Sequence, residues 1–174
     1  MRKFLFVLLV FIVVNLNGQS IILLENPSFE DAVTGYSMIP ENWTDCGFEG
    51  ESPPDIFSGN GIHFGLSRKA KNGKNAVCMI SRIDNTWEGL GQKLPYALEK
   101  GKVHFLHLYA MRSPEYLATD RLTGDKENFN QALQLYLWGS NEACESKALL
   151  GVSQMVENEY WEKVNFAFIP DDAY

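Results

Sequence analysis

Asn26-Pro27-Ser28-Phe29-Glu30 follows an apolar run, Ile21 to Leu24, and leads into a polar, glycine-containing segment. The pattern reads as a short strand that enters a core at Phe29 and leaves a carboxylate, Glu30, at its end. A strand that begins so near the start of a domain must find its partners downstream.

Upstream, Arg2 and Lys3 precede an unbroken apolar run from Phe4 to Val14, then Asn15-Leu16-Asn17-Gly18-Gln19. A basic start, a short apolar centre and a small residue before a polar one describe a secretory signal peptide over residues 1–18. The run is too short to cross a hydrocarbon core of about 30 Å as a helix. Cleavage is expected after Gly18, with Ser20 the second choice, and no cysteine follows that could carry a lipid anchor. Residues 19–174 then form one domain, long enough to bury a core. With 15 basic and 22 acidic residues the chain carries a formal charge of −7, and two of the basic residues lie in the leader. Such an acidic chain repels phosphate backbones and anionic membranes, which argues against nucleic acid as a partner.

Export permits disulfides, and the chain has three cysteines. Cys78 lies in an apolar run, Ala76 to Ile80, where a small hydrophobe suffices, whereas Cys46 and Cys144 lie in polar, turn-like segments. Cys46 is expected to pair with Cys144, leaving Cys78 free and buried. Their spacings match no zinc pattern.

Helical periodicity is scarce. Short alternating or apolar runs separated by Gly, Pro, Asn and Asp point to an all-β antiparallel sandwich. Residues 31–61 form a long irregular excursion with Pro40, Pro53 and Pro54, and loops of this length are often functional. Strands are expected over 75–81, over 86–94 with glycine interruptions, over 103–111, over 131–138, over 148–156 and over 160–169. In the strand 103–111 both faces are apolar, which predicts a central position covered on each side. Residues 112–130 read as a charged surface loop, with one helical turn allowed. Val164, Phe166 and Phe168 should point inward. The chain stops directly after that last strand, and a further strand is expected beyond it.

Set in order, Asn26-Pro27-Ser28-Phe29-Glu30, Pro40-x-x-Trp43, Gly73-x-x-Ala76-Val77, Arg82-x-x-x-x-Trp87-x-Gly89 and Leu98-x-x-Gly101-x-Val103 resemble a known pattern. It is that of the jelly-roll carbohydrate-binding modules of families four, nine and twenty-two, within the galactose-binding-like superfold. His104 stands where those modules usually carry Tyr. The second half, from Leu137-Trp138-Gly139 through Leu149-Leu150-Gly151 to Trp161-x-x-Val164-x-Phe166-x-Phe168-x-Pro170, is similar to secreted bacterial domains of surface proteins linked to gliding motility and type nine secretion.

The resemblance implies a jelly-roll sandwich in which Glu30 helps to hold a structural Ca²⁺, with backbone carbonyls and a later Asp. It also implies sugar recognition, in which flat side chains stack on pyranose rings among planar hydrogen-bonding groups. Trp138, Tyr136 and Gln134 share the more polar face of their strand and are the first candidates for ligand binding. Trp87 and Arg82, with Asp84 and Asn85 between them, are the second, and Tyr109 is placed to share a surface with either group. Trp43 and Trp161 are expected to be structural. His104 and His107 lie three apart on a strand, so their rings face opposite ways and cannot share an ion. Gly-x-Ser-x-Gly, Walker and metalloprotease-helix motifs are all missing from the sequence, and no catalytic residue is assigned. The sequence thus points to an exported, non-enzymatic module that binds a polysaccharide or cell-surface glycan. The alternative is a structural or adhesive surface domain that packs against other domains of a larger protein.

Overall fold

The computed structural model describes residues 22–30, 34–58, 66, 68–120 and 122–174. The leader predicted over residues 1–18 lies outside them. The described residues are all-β, with no helix. In chain order the strands are β1 (Thr44–Asp45), β2 (Asp55–Ser58), β3 (Asn75–Cys78), β4 (Leu90–Gly91) and β5 (His104–Ala110). Then come β6 (Leu117–Thr119), β7 (Lys126–Asn128), β8 (Tyr136–Gly139), β9 (Ala148–Val152) and β10 (Glu162–Phe168). They associate as antiparallel pairs: β1 with β4, β2 with β3, β5 with β10, β6 with β7, and β8 with β9.

The core forms on β2 and β3, where Phe57 lies opposite Ala76 and Ile56 opposite Val77. Phe57, Ala76, Leu66, Ile80 and Tyr116 make one buried cluster, with Cys78, Phe129 and Trp161 packed on its rim. Tyr116 also needs a partner for its hydroxyl, and it donates to Asp55 Oδ2 at 2.5 Å. Burial beside Asp55 then pushes the Tyr116 pKa well above its ordinary value. Trp161 donates its indole N–H to the Lys69 carbonyl at 2.8 Å, as befits a structural tryptophan.

The longest ladder joins β5 to β10, from Ala110 opposite Glu162 to His104 opposite Phe168. Val164, Phe166 and Phe168 are the inward residues of β10, as the alternation predicts. Phe166 fills the space left by Gly151 of β9, where a Cβ would come within 2.9 Å of its ring. The strand β5 differs from expectation. Only Leu106, Leu108 and its other even-numbered residues turn inward, while Phe105 is 71 % exposed and Tyr109 also faces out. It is therefore a half-exposed strand, not one covered on both sides. His104 stacks on Phe168 and His107 faces the other way, so their rings are on opposite faces.

Other expectations change, and of the strand expected over 86–94 only Leu90–Gly91 forms. Residues 22–30 form no strand: Phe29 has φ +59°, donates its amide to the Asn26 carbonyl, and rests half-buried on Trp43 at 5.3 Å between ring centroids. The excursion 31–61 contains β1 and β2, and Ile56 is among the most buried side chains. The charged stretch 112–130 is a hairpin, β6–β7, whose Asp120 accepts the amides of Leu122 and Thr123 at the turn.

Cys46 and Cys144 are joined, with their Cα atoms 4.9 Å apart, and Cys78 is a free thiol whose pKa burial pushes well up. The bridge spans 98 residues of sequence and ties β1 to the connection between β8 and β9. Closing so long a loop removes much freedom from the unfolded chain. Replacing both cysteines by serine should cost about 2–5 kcal/mol, read as a lower urea midpoint in equilibrium unfolding. An unchanged midpoint would show that the bridge adds nothing to stability.

Candidate functional site

Glu30, the proposed calcium ligand, holds a turn. Its Oε1 accepts the amide of Lys74 at 2.9 Å and that of Asn75 at 3.0 Å. Gly73 has φ +63°, and a Cβ there would collide with the same carboxylate, so glycine is required twice over. Asn26 braces the other side: its Oδ1 receives the Glu30 amide at 2.9 Å and its carbonyl receives the Trp43 indole N–H at 3.2 Å. Asn75 returns a bond from Nδ2 to the Phe29 carbonyl at 3.0 Å. The amides of Asn75 and Lys74 hold the Glu30 carboxyl below its ordinary pKa. A Ca²⁺ shell needs six to eight oxygens. What converges on Glu30 Oε1 is two N–H groups, and among the described residues no group of three or more His, Cys, Asp or Glu side chains is placed to hold a metal ion.

Arg82 lies in an internal ion cluster. Its side chain is 6 % exposed, with Nη1 2.7 Å from Glu51 Oε2 and Nη2 3.1 Å from Glu88 Oε1. The Ile80 amide donates to Glu88 Oε2 and the Ser52 hydroxyl to Glu88 Oε1. Backbone bonds between Arg82 and Thr86 and between Glu88 and Ile80 fold the 80–88 segment so that alternate residues turn in. Trp87 therefore takes the opposite face from Arg82 and is 48 % exposed, set edge-on against Phe48 at 5.2 Å. Arg82 and Trp87, paired as one ligand-binding group by the sequence reading, do not share a surface. Asp84 is committed to the turn, where its Oδ1 accepts both the amide and the hydroxyl of Thr86.

The strand β8 carries the third group. Tyr136 is 57 % exposed and Trp138 44 % exposed, both on the outer face, while Leu137 and Gly139 turn inward. Across the ladder Tyr136 faces Val152 and Trp138 faces Leu149, both also exposed, so the four side chains form one apolar, largely aromatic surface. The register shifts between Leu137 and Trp138, which places one extra residue in β9. Gln134, just before the strand, donates its amide N–H to the Ser153 carbonyl at 3.1 Å and is exposed. Thus Tyr136, Trp138 and Gln134 are brought together, and Trp87 and Arg82 belong to the separate 81–88 segment.

Sequence reasoning missed the Glu51–Arg82–Glu88 cluster. Its only signal is Arg82 and Glu88 six residues apart around a tight turn, and Glu51 comes from the segment taken as an irregular loop.

Compared with protein-family models, curated proteins and solved structures, the chain matches none.

Two measurements test these assignments. Replacing Glu30 by Ala removes two backbone hydrogen bonds worth about 1 kcal/mol each, and should lower the melting temperature equally in EDTA and in millimolar Ca²⁺. A wild-type protein stabilised by Ca²⁺, with the response lost in Glu30→Ala, would make Glu30 a calcium ligand. Glu88 is the second case. Burial pushes its carboxyl from 4.5 up to about 7, against the pull of the Ile80 amide and Arg82. The folded state then keeps a proton that the unfolded state has lost, so stability should fall as pH rises from about 4.5 to 7 and level off above. Glu88→Gln should flatten that slope in pH-dependent urea unfolding, and an unaltered slope would assign the titration elsewhere.

Proposed function

We propose that this chain is an exported, non-catalytic module of jelly-roll type that binds a glycan through the outer face of β8. The observation that carries the reading is the solvent exposure of Tyr136 and Trp138 together on one face, beside the polar Gln134. Two residues apart on a strand, their Cα atoms are separated by about 7 Å, close enough for one oligosaccharide to touch both rings. Aromatic faces meet the C–H faces of such rings, and nearby amides hold hydroxyl groups. An apolar surface of this kind at the exterior is costly unless it has a use. Export rests on the leader sequence, and the jelly-roll assignment on the ordered motifs together with the all-β antiparallel pairing. Trp87, exposed beside Phe48, is a second aromatic surface of the same chemistry.

A structural or adhesive role draws support from a different observation, the exposed Phe105 and Tyr109 on β5 with Val103 just before it. That surface suits packing against a neighbouring domain.

Screening the purified protein on a glycan array should give binding that Trp138→Ala weakens about tenfold or more, a loss of roughly 1.4 kcal/mol. Tyr136→Ala should act in the same direction. Silence across the array, or binding indifferent to both substitutions, would favour the adhesive reading.

A further inference from the structure

A cleft of about 660 Å³ opens between the start of β9 and the segment that follows β10. Its walls include Lys100, Lys147, Leu149, Asp171, Asp172 and Tyr174. The cleft adjoins the aromatic surface of β8, because Leu149 both lines it and stands opposite Trp138 in the ladder. Its shape is fixed from three sides. The Tyr174 ring covers Gly139, where a Cβ would lie 3.1 Å from Cδ2, and the Tyr174 hydroxyl donates to Asp171 Oδ1 at 2.6 Å. The Leu98 amide donates to the Tyr174 carbonyl at 2.6 Å, and the Gly101 amide to that of Pro170 at 2.9 Å. Lys147 is carried over the Tyr174 ring, with Nζ 6.0 Å from its centroid.

We infer that this cleft is a second subsite of the glycan surface, selective for neutral sugars and continuous with the stack on Tyr136 and Trp138. The inference rests on the proposed function and specifies its ligand class. The side chains of two aspartates and two lysines line the cleft. Carboxylates accept hydroxyl protons and ammonium groups donate to hydroxyl oxygens, which together read a pair of adjacent hydroxyls on a pyranose. Leu149 and the Tyr174 ring supply the apolar wall against which the C–H face of the sugar lies. A uronate or sulfated sugar would set its charge beside Asp171 and Asp172, in a chain whose formal charge is already −7. Asp171, Asp172 and the charge of the whole chain act against polyanions, while Lys100 and Lys147 donate to hydroxyl oxygens.

The test is isothermal titration of the full chain with neutral gluco-, manno- and xylo-hexaoses and, in parallel, with oligogalacturonate and oligoalginate. A neutral oligosaccharide should bind at least tenfold tighter than either anionic one at low salt. Asp172→Asn and Lys147→Gln, both exposed substitutions whose folding is checked by melting temperature, should each weaken the neutral ligand about three- to tenfold. Shortening that ligand to a disaccharide should abolish their effect, because a disaccharide on the stack no longer reaches the cleft. Binding that Trp138→Ala weakens but Asp172→Asn and Lys147→Gln leave unchanged overturns the subsite and keeps the glycan reading. Tighter binding of the anionic oligomers overturns the neutral selectivity. No binding to any of them, with the array also silent, overturns the glycan reading and the subsite together.

Discussion

The guanidinium of Arg82 sits inside the protein between Glu51 and Glu88, and the segments that meet there also carry the core. Glu51 precedes β2, Arg82 and Glu88 follow β3, and β2 pairs with β3 to place Phe57 against Ala76. A cation withdrawn from water requires partners, and two carboxylates supply them. The Glu88 carboxyl is pushed up to about 7, because burial penalises its charge more than the Ile80 amide and Arg82 favour it. Such a cluster gives little net stability compared with an apolar filling. Its effect is geometric: removing one member would strand a buried charge, so the 51–58 and 80–88 segments are held in one arrangement.

Around that point the fold is made of short antiparallel pairs, and short pairs bury one face at best. The consequence is visible on β5 and β8. On each, alternate residues turn inward, and the others, Phe105 and Tyr109 on β5 and Tyr136 and Trp138 on β8, stay at the surface. Exposed aromatics are thus not a defect of packing here. They are what a period-two pattern with large residues on both faces produces when only one face has a cover.

The sequence revealed the elements with strong alternation. The period-two pattern in 162–168 sends Val164, Phe166 and Phe168 inward, and the polar settings of Cys46 and Cys144 are where the bridge lies. Elements that depend on distant partners were not legible. Asp55 to Ser58 is flanked by Pro53 and Pro54, and nothing local shows that Ile56 and Phe57 will meet Val77 and Ala76. Residues 117–128 are charged because the β6–β7 hairpin lies at the surface, and charge alone resembles a loop. Around Asn26 to Glu30 the opposite error arises. Apolar residues before a conspicuous Phe look like a strand, yet side-chain bonds from Asn26 and Glu30 compete with any ladder and impose a turn. At the site, the shared face of Tyr136 and Trp138 followed from strand periodicity. The burial of Arg82 did not, because its ion partner Glu51 is 31 positions away in the chain.

The disulfide acquires a meaning from where the aromatic surface and the cleft lie. Tyr136 and Trp138 are on β8, Lys147 and Leu149 are at the start of β9, and the connection between those strands contains Cys144. A connection of eight residues, 140–147, could by itself move the two groups relative to one another. Two local bonds and one distant tie reduce that freedom: Ser140 to Glu145 at 2.9 Å, the Glu142 amide to Ser140 at 3.0 Å, and the covalent link from Cys144 to Cys46. The link anchors the connection to β1, which belongs to a different strand pair. Recognition gains most from groups that are already in place before the ligand arrives, since less ordering is then charged against binding. A bridge whose loop spans most of the domain therefore serves two ends at once. It restricts the unfolded chain, and it ties down the connection between the aromatic surface of β8 and the polar cleft beside β9.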